Sequence, residues 1–325
     1  MTNAPPKQCD LCQGQQFQEI SRRDRRGHEL ASVICTACGL VAHRDIPSED
    51  ELSRYYADEY RRDYHGESRP SARRVMRAWK NGERIHRLLR PHLQGHEQVF
   101  EIGAGLGCTV KVFQRQGFAA SGIDVGQDFL GFSRDELRAN VSLGSLFEQP
   151  ADRKHDCILL VHVIEHFRSP RAALEKMHTL LRPDGLLYVE CPNFVGPCAT
   201  WPRMFHTAHI HNFSPATLAL LAARCGFEVE HCLSSDNDPQ IQFLFRRGKP
   251  QTGSIPADNY RRTLAAAQRF NAFTYHLRPA YLTARLKKVA SYLAERIQAG
   301  RFVRRLLADC QTTPPDRTRR VGQAA

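Results

Sequence analysis

The chain has 325 residues, of which 42% are hydrophobic and 25% charged, and a formal net charge of +12. That is material for a full α/β domain with smaller units beside it, and no apolar run approaches the ~18 residues of a transmembrane helix. The charge is uneven: residues 1–94 carry 17 Lys/Arg against 13 Asp/Glu, residues 95–248 carry 14 against 17, and residues 249–325 carry 15 against 4. The near-neutral middle argues against a nucleic-acid grip at a central site.

The first residues, MTNAPPKQCDLC, lack the basic-then-apolar layout of a signal peptide, so a cytoplasmic location is expected. Cys9-Asp-Leu-Cys12 and Cys35-Thr-Ala-Cys38 are two CxxC pairs with 22 residues between them. Each turn brings two thiolates to one point, and two turns supply four sulfurs for tetrahedral zinc. Gly14 and Gly39 suit the tight knuckle turns, and four thiolates leave no open position, so a structural zinc ribbon is expected over residues 1–45. A redox dithiol is the rival, and it needs only one CxxC. The other seven cysteines are scattered and read as reduced thiols.

Residues 46–94 read as a helical connector or lid. Ser48 with Glu51 forms a capping box, and Tyr55, Tyr56, Tyr60 and Tyr64 follow among arginines. A helix is predicted over Ala72 to Leu89, ended by Pro91. Residues 95–248 then alternate: strand Val99–Ile102, helix Cys108–Gln116, strand Ala119–Val125, helix Phe129–Ala139, strand Val141–Leu143 and strand Asp156–Ile164. Helix Pro170–Leu181 and the turn Arg182–Gly185 come next, followed by strand Leu186–Glu190, helix Ser214–Cys225 and strands Phe227–Cys232 and Ile241–Arg246. Alternation of this kind implies a mostly parallel sheet covered by helices on both faces. Asn212 and Phe213 are expected to start the helix that Ser214 caps. Residues 249–325 form a basic tail with helices expected over about Asn259–His276 and Ala280–Ala308, and a disordered end.

The stretch VFEIGAGLGCTV packs Gly103, Gly105 and Gly107 directly after an apolar run ending in Glu101. A strand, a glycine-rich turn and a helix seat a nucleotide-like ligand. No Gly-Lys-Ser/Thr follows, which excludes a P-loop, and Cys108 stands where the third glycine of a dinucleotide fingerprint belongs. The pattern is E-x-G-x-G-x-G, and Asp124 ends the next strand, where a carboxylate takes ribose hydroxyls.

With CDLC…CTACGLV, VFEIGAGLG, GIDVG, HDCILLVHVIEHFRSP, LLRPDGLLYVECPN and HIHNFSPATLALLAARCGFEVE, residues 9–247 resemble class I S-adenosylmethionine-dependent methyltransferases. Within them, they resemble bacterial enzymes with an N-terminal zinc-binding segment found in sugar, glycan and natural-product pathways. The resemblance implies a Rossmann-like α/β fold with a seven-stranded sheet. It implies that Glu101, Gly103, Ala104, Gly105 and Gly107 line the methionine end of the cofactor and Asp124 binds the ribose. Gly144, Ser145 and Leu146 would flank the adenine, and Val161 and His162 would border the methyl-donor pocket. Relatives often have an acid where Ser145 stands, and a Pro-Gly-Gly turn where this chain has RPDG.

Methyl transfer is an in-line displacement, and a hydroxyl or carbon acceptor needs a base to remove its proton. His162, Glu165 and His166 follow a strand's end, where open α/β sheets place their ligands. His206, His209 and His211 form a second cluster after the fifth strand of the central domain, and His209 or His211 is a rival base or acceptor ligand. A second metal held by those three histidines is the minor reading. The expected acceptor is a small molecule or glycan, including a nucleotide-linked sugar. An RNA or protein acceptor and a zinc-ribbon binding protein with an idle methyltransferase-like domain are the rivals. The basic tail packs on the domain or a second subunit, lies on a membrane surface, or binds nucleic acid.

Overall fold

Among the described residues, eleven strands fall into two sheets. The computed structural model describes residues 8–55, 69–95, 97–196, 199–235, 237–269 and 272–312. Tyr56, Tyr60 and Tyr64, and the end of the tail expected to be disordered, lie outside them.

The first sheet is antiparallel: β1 (Phe17–Arg23), β2 (Glu29–Cys35), β3 (Val41–His43) and β9 (His211–Asn212). The second has the order β10-β11-β8-β7-β4-β5-β6. Its members are β4 (Gln98–Ile102), β5 (Ala119–Asp124), β6 (Val141–Leu143), β7 (His155–Val161), β8 (Leu181–Pro192), β10 (Phe227–Cys232) and β11 (Gln240–Arg247). β4, β5 and β6 run parallel, and β11 is antiparallel to both β8 and β10. This is the seven-stranded, helix-flanked sheet the resemblance implied.

Contacts gather the chain into two units. One holds residues 1–52, 150–154 and 159–285, and the other residues 53–149, 155–158 and 286–325. The first contains the antiparallel sheet, β8, β10, β11, α4 (Pro170–Leu180), α5 (Pro215–Arg224), α6 (Asn259–Ala267) and α7 (Ala272–His276), after α1 (Glu49–Arg54) near its start. The second contains α2 (Ala72–Leu89), α3 (Cys108–Arg115), β4–β6 and most of α8 (Pro279–Thr312). In the second unit α2 buries Val75, Met76, Trp79, Gly82, Ile85 and Leu89 at helical spacing. Gly82 lets α3 close in, since a Cβ there would stand 2.9 Å from Thr109 Cα.

Several elements differ from expectation. β7 stops at Val161 because His162 takes a left-handed backbone, φ 55°, and Ile164–His166 form a 3-10 turn instead of more strand. The helix expected over Phe129–Ala139 narrows to a wide π-type turn, Phe132–Glu136, closed by Leu137 N–H donating to Phe132 O at 3.0 Å. There buried Ser133 turns its hydroxyl to Gly105 O at 3.2 Å instead of continuing an α-helix. The Arg182–Gly185 turn is absorbed into β8 as a kink at Asp184, φ 59°. Asn212 does not start a helix: it pairs with Val41 in β9, while Ser214 caps α5 with Pro215 at its first position. The Asn259–His276 helix divides into α6 and α7.

Candidate functional site

The first unit carries the cysteine cluster. The four sulfurs of Cys9, Cys12, Cys35 and Cys38 lie within 4.8 Å of one another. Cys9–Cys38 and Cys12–Cys35 are each 3.5 Å apart, too far for disulfides and close to the edge of a tetrahedron of Zn–S bonds of ~2.3 Å. Gly14 N–H donates to Cys12 Sγ and Leu40 N–H to Cys38 Sγ. Hydrogen bonds from Cys38 and Cys9 pull Cys35 down to about 2, while the neighbouring thiols push Cys9 and Cys38 up. Four such thiols ionise together only around a cation, so the donor set fits zinc.

This ribbon is tied to the rest of its unit on both sides. Asp10 accepts from Ser169 Oγ and from Arg171 N–H, both at 2.7 Å, at the start of α4. Arg171 and Arg224 donate to Leu11 O at 2.7 and 2.8 Å, and Asn259 of α6 donates to Cys38 O at 2.6 Å. The ribbon also holds the loop before β9. Arg25 N–H donates to Phe205 O, Thr207 Oγ1 lies 3.4 Å from Asp24 Oδ2, and His43 Nε2 lies 3.1 Å from His206 O.

The second unit carries the glycine loop. Gly103, Gly105 and Gly107 all have positive φ, at 75°, 49° and 70°. Gly107 is sterically sealed, because a Cβ would stand 2.9 Å from Val141 Cγ2, whereas a Cβ on Gly105 would meet no protein atom within 4 Å. Asp124 binds the loop from the end of β5, accepting from Gly105 N–H and Gly126 N–H, each at 2.7 Å. Burial raises its pKa, and those two amides pull it back. Glu101 is buried inside β4, and its Oε2 finds no hydrogen-bond partner among the described residues. Burial, reinforced by the Asp124 charge, lifts it to about 8 despite a hydrogen bond with Thr109. An orphaned carboxylate oxygen and a cradle a Cβ would fill fit a cationic, nucleoside-bearing cofactor. Ala104 is buried beside them, and its amide donates to Ile123 O. Ser145 spends its hydroxyl capping the turn Leu146–Glu148, and the Leu146 side chain is core.

The first unit also gathers a histidine–carboxylate cluster. Val161 ends β7, and the His162 N–H donates to Glu190 O at 2.8 Å. The His162 side chain is 40% exposed between two carboxylates that are each 2% exposed: Nδ1 is 3.5 Å from Glu165 Oε1, and Nε2 is 3.7 Å from Glu190 Oε1. Gln240 Nε2 lies 3.3 Å from His162 Nε2. Glu190 is braced in turn by Tyr188 OH at 2.6 Å and Gln242 Nε2 at 3.3 Å. Burial alone would raise Glu165, but the close approach of His162 Nδ1 and the neighbouring His166 outweigh it and hold its pKa below the ordinary value, although neither Glu165 oxygen has a hydrogen bond among the described residues.

His166 Nε2 lies 3.9 Å from Glu165, and its Nδ1 is 2.7 Å from Ala208 O. His209 packs edge-on against His166, centroids 5.1 Å apart, and lies tilted by 31° over His206, centroids 4.6 Å apart. Burial lowers His209 to about 3 and His206 to about 4, so both are neutral near pH 7. Glu165, His166 and His209 bring ligand atoms within 4.8 Å of one another, a donor set that admits a divalent ion. The trio His206, His209 and His211 is not assembled: His211 is buried in β9 with Nε2 3.1 Å from Arg168 O. Thus His162, Glu165, His166 and His209 meet, while His211 is a buried strand residue whose ring turns to Arg168 O. Glu190 and Gln240 were missed, although an acid inside the apolar run LLYVECP is a readable signal.

Residues 71–232 match a family model described as a methyltransferase domain. Two curated relatives are an Aeromonas salmonicida (strain A449) ubiquinone biosynthesis O-methyltransferase and the Streptomyces niveus C-methyltransferase NovU. The first is 27% identical over 30% of this chain and 44% of that protein; the second is 25% identical over 64% of this chain and 48% of that protein. The chain therefore spans about half the length of the curated relatives it matches. Among solved structures, a Burkholderia thailandensis 1,6-didemethyltoxoflavin-N1-methyltransferase bound to S-adenosylhomocysteine aligns with TM-score 0.49 and 19% identity. The alignment covers 65% of this chain and 96% of that one.

Proposed function

We propose that this chain, which carries a methyltransferase domain over residues 71–232, moves the methyl group of S-adenosylmethionine onto a small-molecule or glycan acceptor. Nucleotide-linked sugars are the first class to screen. The observation that carries the reading is the glycine loop bound by Asp124 with Glu101 buried beside it. When bound, the cofactor supplies an electrophilic methyl on a sulfonium. Gly103, Ala104 and Gly105 admit it close to the backbone, Gly107 lets the loop close against Val141, Asp124 takes its ribose hydroxyls, Glu101 faces its ammonium end, and Ser145 and Leu146 flank its base.

His162 is the base. It is the exposed member of its cluster, and Glu165 and Glu190 stabilise the imidazolium that forms as it takes the acceptor's proton. Gln240 orients the ring. His166 and His209 pack beside Glu165, and His209, so depressed by burial, is a weak base. Such a base serves a hydroxyl or a carbon acid, the acceptor types in the names of the two relatives given above. Cys9, Cys12, Cys35 and Cys38 hold a structural zinc.

The test is calorimetric titration with S-adenosylhomocysteine, followed by transfer of radiolabelled methyl to a nucleotide-sugar panel. His162→Asn should keep the cofactor affinity and lose about 10²–10⁴-fold in turnover. Wild-type turnover in His162→Asn would remove the base assignment. No binding of S-adenosylhomocysteine to folded, zinc-loaded protein would remove the whole reading.

A further inference from the structure

The second unit carries a surface that methyl transfer does not use. On α8 beyond residue 285, one side packs inward: Tyr292 lies under Arg73 and Arg77, Glu295 pairs with Arg77 at 2.6 Å, and Ala299, Leu306 and Cys310 are buried. At 3.6 residues per turn this fixes which side faces outward. Leu286 and Ile297 lie there with Val289 beside them, 72%, 79% and 57% exposed. Arg301 and Arg304 continue the same side, while Lys287 and Arg305 flank it on one edge and Arg296 on the other, all exposed. Residues 286–312 hold only two acids. Glu295 is taken by Arg77, and Asp309 lies 4.0 Å from Arg115. Beside the helix, Ile297, Arg301 and Arg305 line, together with Glu83 and Asp309, a cavity of about 600 Å³ that reaches Trp79.

We infer that this face of α8 docks on an anionic lipid bilayer, lying in the plane of the headgroups. The apolar stripe enters the acyl boundary, and the flanking guanidinium and ammonium groups reach lipid phosphates. No described helix is long and apolar enough to cross a membrane, so contact is at the surface. A second copy of the chain is the poorer occupant. It would set the same cations against each other with no outward acid between them.

Full-length protein is floated with phosphatidylcholine vesicles, with and without phosphatidylglycerol, at low and high salt. Binding should need the anionic lipid and weaken with salt. The Arg301→Glu/Arg304→Glu pair should lower partitioning at least about 25-fold, taking about fivefold per cation. Leu286→Ser/Ile297→Ser should lower it more than about tenfold. Both pairs alter exposed positions, so unchanged melting temperatures verify folding. Absence of vesicle binding by the wild type, equal binding to neutral vesicles, or indifference to both pairs would overturn the inference. So would a wild-type dimer that Leu286→Ser/Ile297→Ser converts to monomer. Every readout is independent of methyl transfer, so failure here and failure of the enzymatic reading are distinct results.

Discussion

Gly105 and Gly107 stand two residues apart in the same loop, yet alanine should do opposite things at each. Both have left-handed backbones, so an alanine at either costs about 1 kcal/mol in the folded state, partly offset by the stiffer unfolded chain. At Gly105 nothing more is added, because the new Cβ meets no protein atom within 4 Å. At Gly107 it would press to 2.9 Å from Val141 Cγ2 and 3.0 Å from Ala139 Cβ. Overpacking of that kind adds about 1–3 kcal/mol. Gly105→Ala should therefore lose under about 1 kcal/mol and Gly107→Ala about 2–4 kcal/mol, or a few degrees against as much as about 10 °C in melting temperature. Titration with S-adenosylhomocysteine gives the second axis. The methyl group at 105 fills the cradle offered to the cofactor, so Gly105→Ala should fold and bind at least about tenfold more weakly. Near-wild-type affinity in Gly105→Ala, or equal stability losses in the two variants, would refute the division of the loop into a ligand-facing and a packing glycine.

Glu101 makes stability depend on pH. Its folded pKa, about 8, lies above the unfolded carboxylate value, so the unfolded chain binds fewer protons between the two and stability falls as pH rises from about 4.5 to about 8. Denaturant titrations of cofactor-free Glu101→Gln should show a flatter profile and a gain at pH 8; an unchanged slope would count against the assignment. Chelation under reducing conditions, or Cys35→Ser, should lower the melting temperature and raise amide exchange at residues 204–211, the loop the ribbon holds. Metal-free protein with full protection there would sink the zinc reading. His162→Asn, beyond its lost turnover, should be less stable than wild type, because Glu165 and Glu190, each 2% exposed, lose the imidazole that faces them, an effect only partly offset by asparagine's better tolerance of φ 55°. A melting temperature at or above wild type would mean that the ring does not compensate the two carboxylates.

What was legible in the sequence is what depends on neighbours along the chain. The glycine spacing and Asp124 announced the loop, because a turn that needs positive φ must write glycine at fixed offsets. The paired CxxC turns announced the sulfur cluster for the same local reason, and α2 matched its prediction because Val75, Met76, Trp79, Gly82, Ile85 and Leu89 keep one helical face. What failed depends on partners far away. Asn212 reads as a helix start until β3 offers it Val41, 171 positions earlier, as a strand partner. β7 reads as continuing past Val161 until His162 takes a left-handed backbone, φ 55°, with its ring set between Glu165 and Glu190.

The histidine cluster shows the same division at the level of chemistry. Three histidines close in sequence, His206, His209 and His211, looked like a unit, but only the His206 and His209 rings stay together, 4.6 Å apart, while His211 is drawn into β9. His211 goes to Arg168 O, while His209 turns to His166. The unit that forms instead joins the end of β7 to Glu190 of β8 and Gln240 of β11, brought together by the sheet register in which Gln240 pairs with Pro192 and Gln242 with Glu190. A carboxylate buried without a cation partner costs several kcal/mol, so Glu190 inside an apolar strand implies a group that faces it. The sequence exposes the cost of that acid; only the register identifies His162 as the group facing it.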